Sequence, residues 1–222
     1  MNKWLMGLLI ILGIFIFKPR NDYIKKYYKS GKIMAEGKIK NNKSEDLWKF
    51  YYENGNLKQE INYKDNEKNG IAKNYYKNGI LEREGNFRDN KMEGLWKYYY
   101  ESGQLKEESN WIGDQREGIV KMYYENGTLK REGNCKNGEM NGLWRIYYEN
   151  GYLKEESNWV KDEREGLGKT YYKSGKLFSE ANFKNGKFDG IVKSYDENGE
   201  LLLNDYRLLI YKLEESKKKI ED

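Results

Sequence analysis

The chain has 222 residues, of which 35% are charged and 15% aromatic, and its 41 basic and 36 acidic side chains leave a net charge of +5. Charge this high would read as disorder, but disordered segments are poor in aromatics; 21 Tyr, 7 Phe and 6 Trp fit a thin, solvent-washed β structure instead. The interspersed signs lack the one-sign clusters of a nucleic-acid footprint, so no nucleic-acid partner is expected; with no His the commonest general base and metal ligand is missing, and a single Cys rules out an intrachain disulfide.

At the N-terminus, Lys3 precedes fourteen uncharged residues, Trp4 to Phe17, and Lys18-Pro19-Arg20 follow. Such a run is short of the ~20 residues that span a bilayer as a helix, but it is normal for the core of a signal peptide. No small-x-small cleavage site follows it, and no Cys is placed for lipid attachment. The basic residues after the core, Lys18, Arg20, Lys25 and Lys26, would tend to hold this flank in the cytoplasm. Residues 1–21 are therefore read as an apolar helix serving as signal peptide or uncleaved membrane anchor, with a terminal segment docked on the rest of the chain as the alternative. Residues 4–17 then offer membrane association. The expected location is the cell envelope, anchored or exported, with the cytoplasm as the alternative.

From Asp22 a single phrase repeats. Gly31, Gly55, Gly79, Gly103, Gly127, Gly151, Gly175 and Gly199 recur every 24 residues without exception. A second series, Gly70, Gly94, Gly118, Gly142, Gly166 and Gly190, keeps the same interval, with Asp46 and Asp22 in its place in the first two copies. Constant spacing without insertions marks a stacked array. In the copy "GLWKYYYESGQLKEESNW", residues 94–111, two runs rich in aromatic residues and Leu flank Ser102-Gly103, which is Asn-Gly in most copies. That pair predicts a two-residue type I′ hairpin turn with φ > 0 at both positions.

The turn sets a register by arithmetic. It opposes Glu101 to Gln104, Tyr100 to Leu105, Tyr99 to Lys106, Lys97 to Glu108 and Trp96 to Ser109. Alternation then places Trp96, Tyr98, Tyr100, Leu105, Ser109 and Trp111 on a buried face, and Leu95, Lys97, Tyr99, Lys106, Glu108 and Asn110 on the other. Cys135 falls in the aromatic Trp111 column, where it reads as a small core residue. The Lys97 column is basic throughout and the Glu108 column is Glu in every copy it reaches, so a ladder of Lys–Glu pairs is expected. Trp48, Trp96 and Trp144 recur at 48, with mostly small residues at the facing positions (Ile61 is the exception), which implies that hairpins work in pairs. After residue 204, Tyr206, Leu209 and Leu213 stand at helical spacing, and an amphipathic helix is expected to cap the array within 205–222.

"GLWKYYYESGQLKEESNW", "GLWRIYYENGYLKEESNW" and "GIVKMYYENGTLKREGN" resemble the MORN repeat variant of bacterial proteins often described as YwqK-type and antitoxin-like. The resemblance covers about residues 22–204. It implies an all-β fold, a single elongated, twisted antiparallel sheet of about eight stacked hairpins. It also implies roles in protein–protein contact, in holding proteins at membranes and in lipid contact. Some kinases carry such repeats, but this chain has no kinase-type Gly-rich loop, Lys and Asp set.

The resulting expectation is a non-catalytic scaffold or binding module at the bacterial cell envelope, with another protein as partner. The alternative is a cytoplasmic antitoxin-like protein that neutralises a partner toxin. The candidate contact surface is the outward row Tyr51, Tyr75, Tyr99, Tyr123, Tyr147 and Tyr171 beside Lys97, Lys121 and Arg145; these tyrosines would serve equally as a mere covering of the ladder. No catalytic residue, cofactor or metal site is expected, because every Glu sits in a repeated column whereas catalytic pairs need unlike environments. Loop acids such as Asp89, Asp114 and Asp162 have cation-binding chemistry but nothing that enforces a site.

Overall fold

The computed structural model describes residues 21–204, and the two expected terminal helices, within 1–21 and 205–222, lie outside those residues apart from Asn21, which is strand. Sixteen strands follow one another. They are β1 (Asn21–Tyr27), β2 (Ile33–Lys40), β3 (Lys43–Tyr51), β4 (Leu57–Lys64), β5 (Glu67–Tyr75), β6 (Leu81–Arg88), β7 (Lys91–Tyr99) and β8 (Leu105–Ile112), then β9 (Gln115–Tyr123), β10 (Leu129–Lys136), β11 (Glu139–Tyr147), β12 (Leu153–Val160), β13 (Glu163–Tyr171), β14 (Leu177–Lys184), β15 (Lys187–Tyr195) and β16 (Leu201–Asn204). They form one antiparallel sheet in which spatial order equals chain order. Each strand pairs with its sequence neighbours, so no connection crosses over, and β1 and β16 end the sheet.

The two edges of the sheet are turned by different devices. At the Asn/Ser-Gly edge the expected type I′ turn does not form. The Gly103 N–H donates to the Tyr100 carbonyl at 2.9 Å, and the Tyr100 N–H donates to the Gln104 carbonyl at 2.8 Å. Only Gly103 is left-handed, at φ +89°, and Ser102 is not. This is a three-residue loop, a type I turn closed by a left-handed glycine. The extra loop residue moves the register: Tyr98 still faces Glu107, but Leu105 comes opposite Tyr99 rather than Tyr100. Lys106 accordingly lies with Tyr100, its Nζ 5.4 Å from the ring centre, and not with Tyr99. The same loop brings Leu129 opposite Tyr123.

The two-residue turns with φ > 0 at both positions occupy the opposite edge. They are Asn41-Asn42, Asp65-Asn66, Asp89-Asn90, Gly113-Asp114, Asn137-Gly138, Lys161-Asp162 and Asn185-Gly186. Asn, Asp and Gly tolerate this geometry; Lys161, at φ +51°, is the exception.

Away from the turns the arithmetic register holds. Lys97 faces Glu108, Trp96 faces Ser109 and Gly94 faces Trp111. Between hairpins the second glycine series makes a bulge. Glu84 faces Lys97 and Asn86 faces Glu93, so Gly85 is opposed by the three residues Gly94 to Trp96. Gly94 has φ +72°, and Asp46 takes the equivalent left-handed place at +59°.

This bulge folds Trp96 onto Gly85, where a Cβ would lie 2.2 Å from the indole. The indole N–H donates to the Asn86 carbonyl at 3.1 Å. Trp48 on Gly37 and Trp144 on Gly133 repeat the arrangement, at the interval of 48. Trp96 is fully buried, and the core consists of such aromatics with Ile61, Ala72 and Val120 between them. Cys135 is buried among them, and burial pushes its thiol pKa up.

Candidate functional site

Among the described residues the sheet is a single layer with two faces, and they differ in chemistry. On the aromatic face, basic side chains roof the rings. The Arg131 guanidinium lies 4.3 Å from the Trp144 ring centre, and Arg116 and Arg164 lie 5.1 and 5.3 Å from Trp111 and Trp159. Cation–π contact lets a charged group cover an indole that would otherwise face water. Arg116 is in turn held by Glu107 at 2.6 Å, and Arg164 by Glu155.

The ladder face carries the candidate residues. Lys49 pairs with Glu60 at 3.5 Å, Lys73 with Glu84 at 3.6 Å, and Arg145 bridges Glu132 and Glu156 at 4.0 and 3.7 Å. Lys97 and Lys121 stand in the same register column, opposite Glu108 and Glu132. The tyrosine row reaches into this ladder. Tyr51, Tyr75, Tyr99, Tyr123, Tyr147 and Tyr171 donate their hydroxyls to Glu36, Glu60, Glu84, Glu108, Glu132 and Glu156, at 2.6–2.9 Å. Each bond spans from one hairpin to the one before it. Partial burial and then the carboxylate partner push all six phenols up to about 12.

The neighbouring tyrosine works in the opposite direction. Tyr52, Tyr76, Tyr100, Tyr124 and Tyr148 donate to the backbone carbonyls of Tyr75, Tyr99, Tyr123, Tyr147 and Tyr171 in the next hairpin, at 2.7–2.8 Å. Asn54, Asn78, Asn126 and Asn150 also donate forward, to carbonyls of the following turn. Thus the two tyrosines and the asparagine of the repeated phrase stitch each hairpin to its neighbours.

The structure therefore brings every candidate tyrosine, Lys97, Lys121 and Arg145 onto one continuous face, with the hydroxyls already engaged. A second row, outside the candidate set, lies on that face. Leu47, Ile71, Leu95, Ile119, Leu143 and Leu167 stand 38–60% exposed, one per repeat. The available signal was an aliphatic residue kept every 24 positions on an otherwise polar face. Neighbouring strands lie about 4.8 Å apart, so two strands per repeat space this stripe at roughly 10 Å.

The loop acids are occupied within the sheet. Asp114 and Asp162 accept the backbone N–H groups of Met92 and Met140, both at 2.7 Å, and Asp89 accepts from Asn69 at 3.1 Å. Among the described residues no group of three or more His, Cys, Asp or Glu could hold a metal ion, and no helix is long and apolar enough to cross a membrane.

A search of curated proteins returns no match. The family model described as "MORN repeat variant" matches seven consecutive segments, residues 47–65, 68–89, 92–112, 116–137, 140–161, 164–185 and 188–203. Its repeats are generally non-enzymatic modules, consistent with two faces built from repeated structural contacts. With more than half of its length matched, the chain belongs to the MORN repeat variant family.

Proposed function

We propose that this chain is a non-catalytic binding module whose ladder face docks another protein. The observation that carries the reading is the exposed aliphatic stripe from Leu47 to Leu167. Apolar side chains left on a charged face cost hydration free energy unless something covers them, and contiguous exposed apolar surface marks interaction sites. The tyrosine row lies beside the stripe. Its rings offer large contact area at low conformational cost, and their hydroxyls are prepaired, so little desolvation is added on binding. Lys97, Lys121 and Arg145 with their facing Glu columns form a charged border that would select the orientation of the partner. Such a partner presents apolar side chains at about 10 Å intervals, the interval set by two strands per repeat.

The proposed location is the cell envelope, reached through residues 4–17. The test compares crosslinked partners of the parent with those of an Ile119→Ser/Leu143→Ser variant, recovered from native cells with membrane and soluble fractions kept separate. A partner lost from the variant, at unchanged thermal stability, supports the ladder face; identical recoveries from both proteins place the contact elsewhere. A wholly cytosolic protein bound to a small toxic polypeptide would replace the envelope reading with the antitoxin-like one.

A further inference from the structure

The series of indoles on the aromatic face breaks after Trp144. In the Trp48, Trp96 and Trp144 positions an indole lies on Gly37, Gly85 and Gly133. The next position in that series, 48 residues on, is Val192, and it faces Ala181. Gly168 stands between them in the column, and Ser179 replaces the roofing Arg131. The missing indole leaves a cleft of about 210 Å³.

Its walls are Gly168, Ala181, Phe183, Phe188 and Val192. Phe183 and Phe188 pack at a tilt of 33° with ring centres 4.9 Å apart. Arg164 covers Phe183 at 5.2 Å and is itself held by Glu155 at the rim. Besides that ion pair the polar lining is Ser157, Lys169 and the pair Thr170 and Ser179, whose hydroxyls bond each other at 2.6 Å. Phe178 departs from its column too. Where Lys106, Lys130 and Lys154 lie over Tyr100, Tyr124 and Tyr148, Phe178 packs edge-on against Tyr172 at 5.0 Å.

We propose that this cleft is a binding site for an indole ring presented as a tryptophan side chain by a partner protein. The array itself supplies the template. Three times it fills the equivalent space with an indole covered by a cation, Lys26, Arg83 or Arg131, and around Trp48 and Trp96 the neighbours are themselves aromatic. The volume fits: an apolar cavity of about 150 Å³ takes up benzene, and an indole is one fused ring larger. The polarity fits as well, since a buried indole N–H needs one acceptor. The Asn182 carbonyl holds the array position from which the Asn134 carbonyl accepts the N–H of Trp144. The site lies on the face opposite the aliphatic stripe, so it goes beyond the ladder-face reading and stands or falls separately from it.

The probes are N-acetyl-tryptophanamide and free indole, titrated into ¹⁵N-labelled protein of the full chain and followed by amide chemical shifts. The expected result is saturable binding of the amide with a dissociation constant of about 1 mM or below, with shifts confined to β13–β15. The double variant Ala181→Gly/Val192→Trp rebuilds the array's own glycine–tryptophan pair and should abolish binding while melting no lower than the parent. Val192→Phe fills part of the same space without needing the glycine and should weaken binding at least tenfold. The proposal is overturned by no saturable shift with the amide, by binding that survives both fillings, or by uptake of free indole alone, which would make the cleft a small-molecule site.

Discussion

The two faces of the sheet hold the same backbone by different means. The aromatic face repeats every 48 residues and depends on fit: Trp48, Trp96 and Trp144 each need a glycine beneath them, and a bulge to bring them there. The ladder face repeats every 24 and depends on polar networks, as where Glu84 is served by Lys73 across the strand pair and by Tyr99 of the following hairpin. Close packing makes each change of volume felt, so where Val192 replaces the indole on the aromatic face a cleft is left. Charge networks in partial contact with water are individually weak, and the ladder gains from number rather than from any one member.

Trp144→Ala should give the largest effect, about 3–5 kcal/mol of destabilisation, because it empties a fully packed site. Chemical denaturation read by circular dichroism checks this. Gly133→Ala should cost about 1–3 kcal/mol, since overpacking forces neighbours to shift; its Cβ would lie 2.0 Å from the Trp144 indole. In the Trp144→Ala background the same substitution should cost almost nothing. A double-mutant cycle with no coupling between the two would contradict the stacked geometry.

The ladder face should fail first in alkali. Tyrosines at about 12 when folded and 10.0 when free stabilise the fold fully below pH 10, and that contribution is lost as pH rises towards 12. Thermal melts across this interval, with phenolate absorbance recorded alongside, should show Tyr123 and Tyr147 ionising together with unfolding; ionisation at the free value in a still-folded protein would deny the Tyr–Glu bonds. Tyr147→Phe should cost about 1 kcal/mol, the net worth of one hydrogen bond. Lys73→Gln should change stability by less than about 1 kcal/mol and chiefly at low salt, because the pair with Glu84 is partly exposed.

How far these faces were legible follows from the range of the contacts. The Lys97–Glu108 and Trp96–Ser109 pairs follow from counting outward from a turn, because strand alternation admits few registers. The loop type did not follow. Asn-Gly closes both two- and three-residue hairpins, and the choice depends on whether the preceding residue joins the loop. That one residue sent Leu105 to Tyr99 and left the two-residue turns to the other edge, where Asn-Asn, Gly-Asp and even Lys-Asp fill a geometry that Asn-Gly would advertise better. The tyrosine bonds lay beyond sequence reading as well. Tyr99 to Glu84 and Tyr100 to the Tyr123 carbonyl join separate hairpins, and a single hairpin contains only one partner of each.

By itself the sequence determined the period, the strands, the chemistry of each column and membership of a stacked array, because these depend on local alternation and constant spacing. Only the tertiary structure decided which neighbours the columns meet: the glycine beneath Trp48, Trp96 and Trp144, the carboxylate behind each tyrosine of the outward row and the cleft where Val192 stands in place of Trp. Those outcomes depend on how far a side chain reaches across the roughly 5 Å between strands, and that distance exists only once the hairpins have stacked.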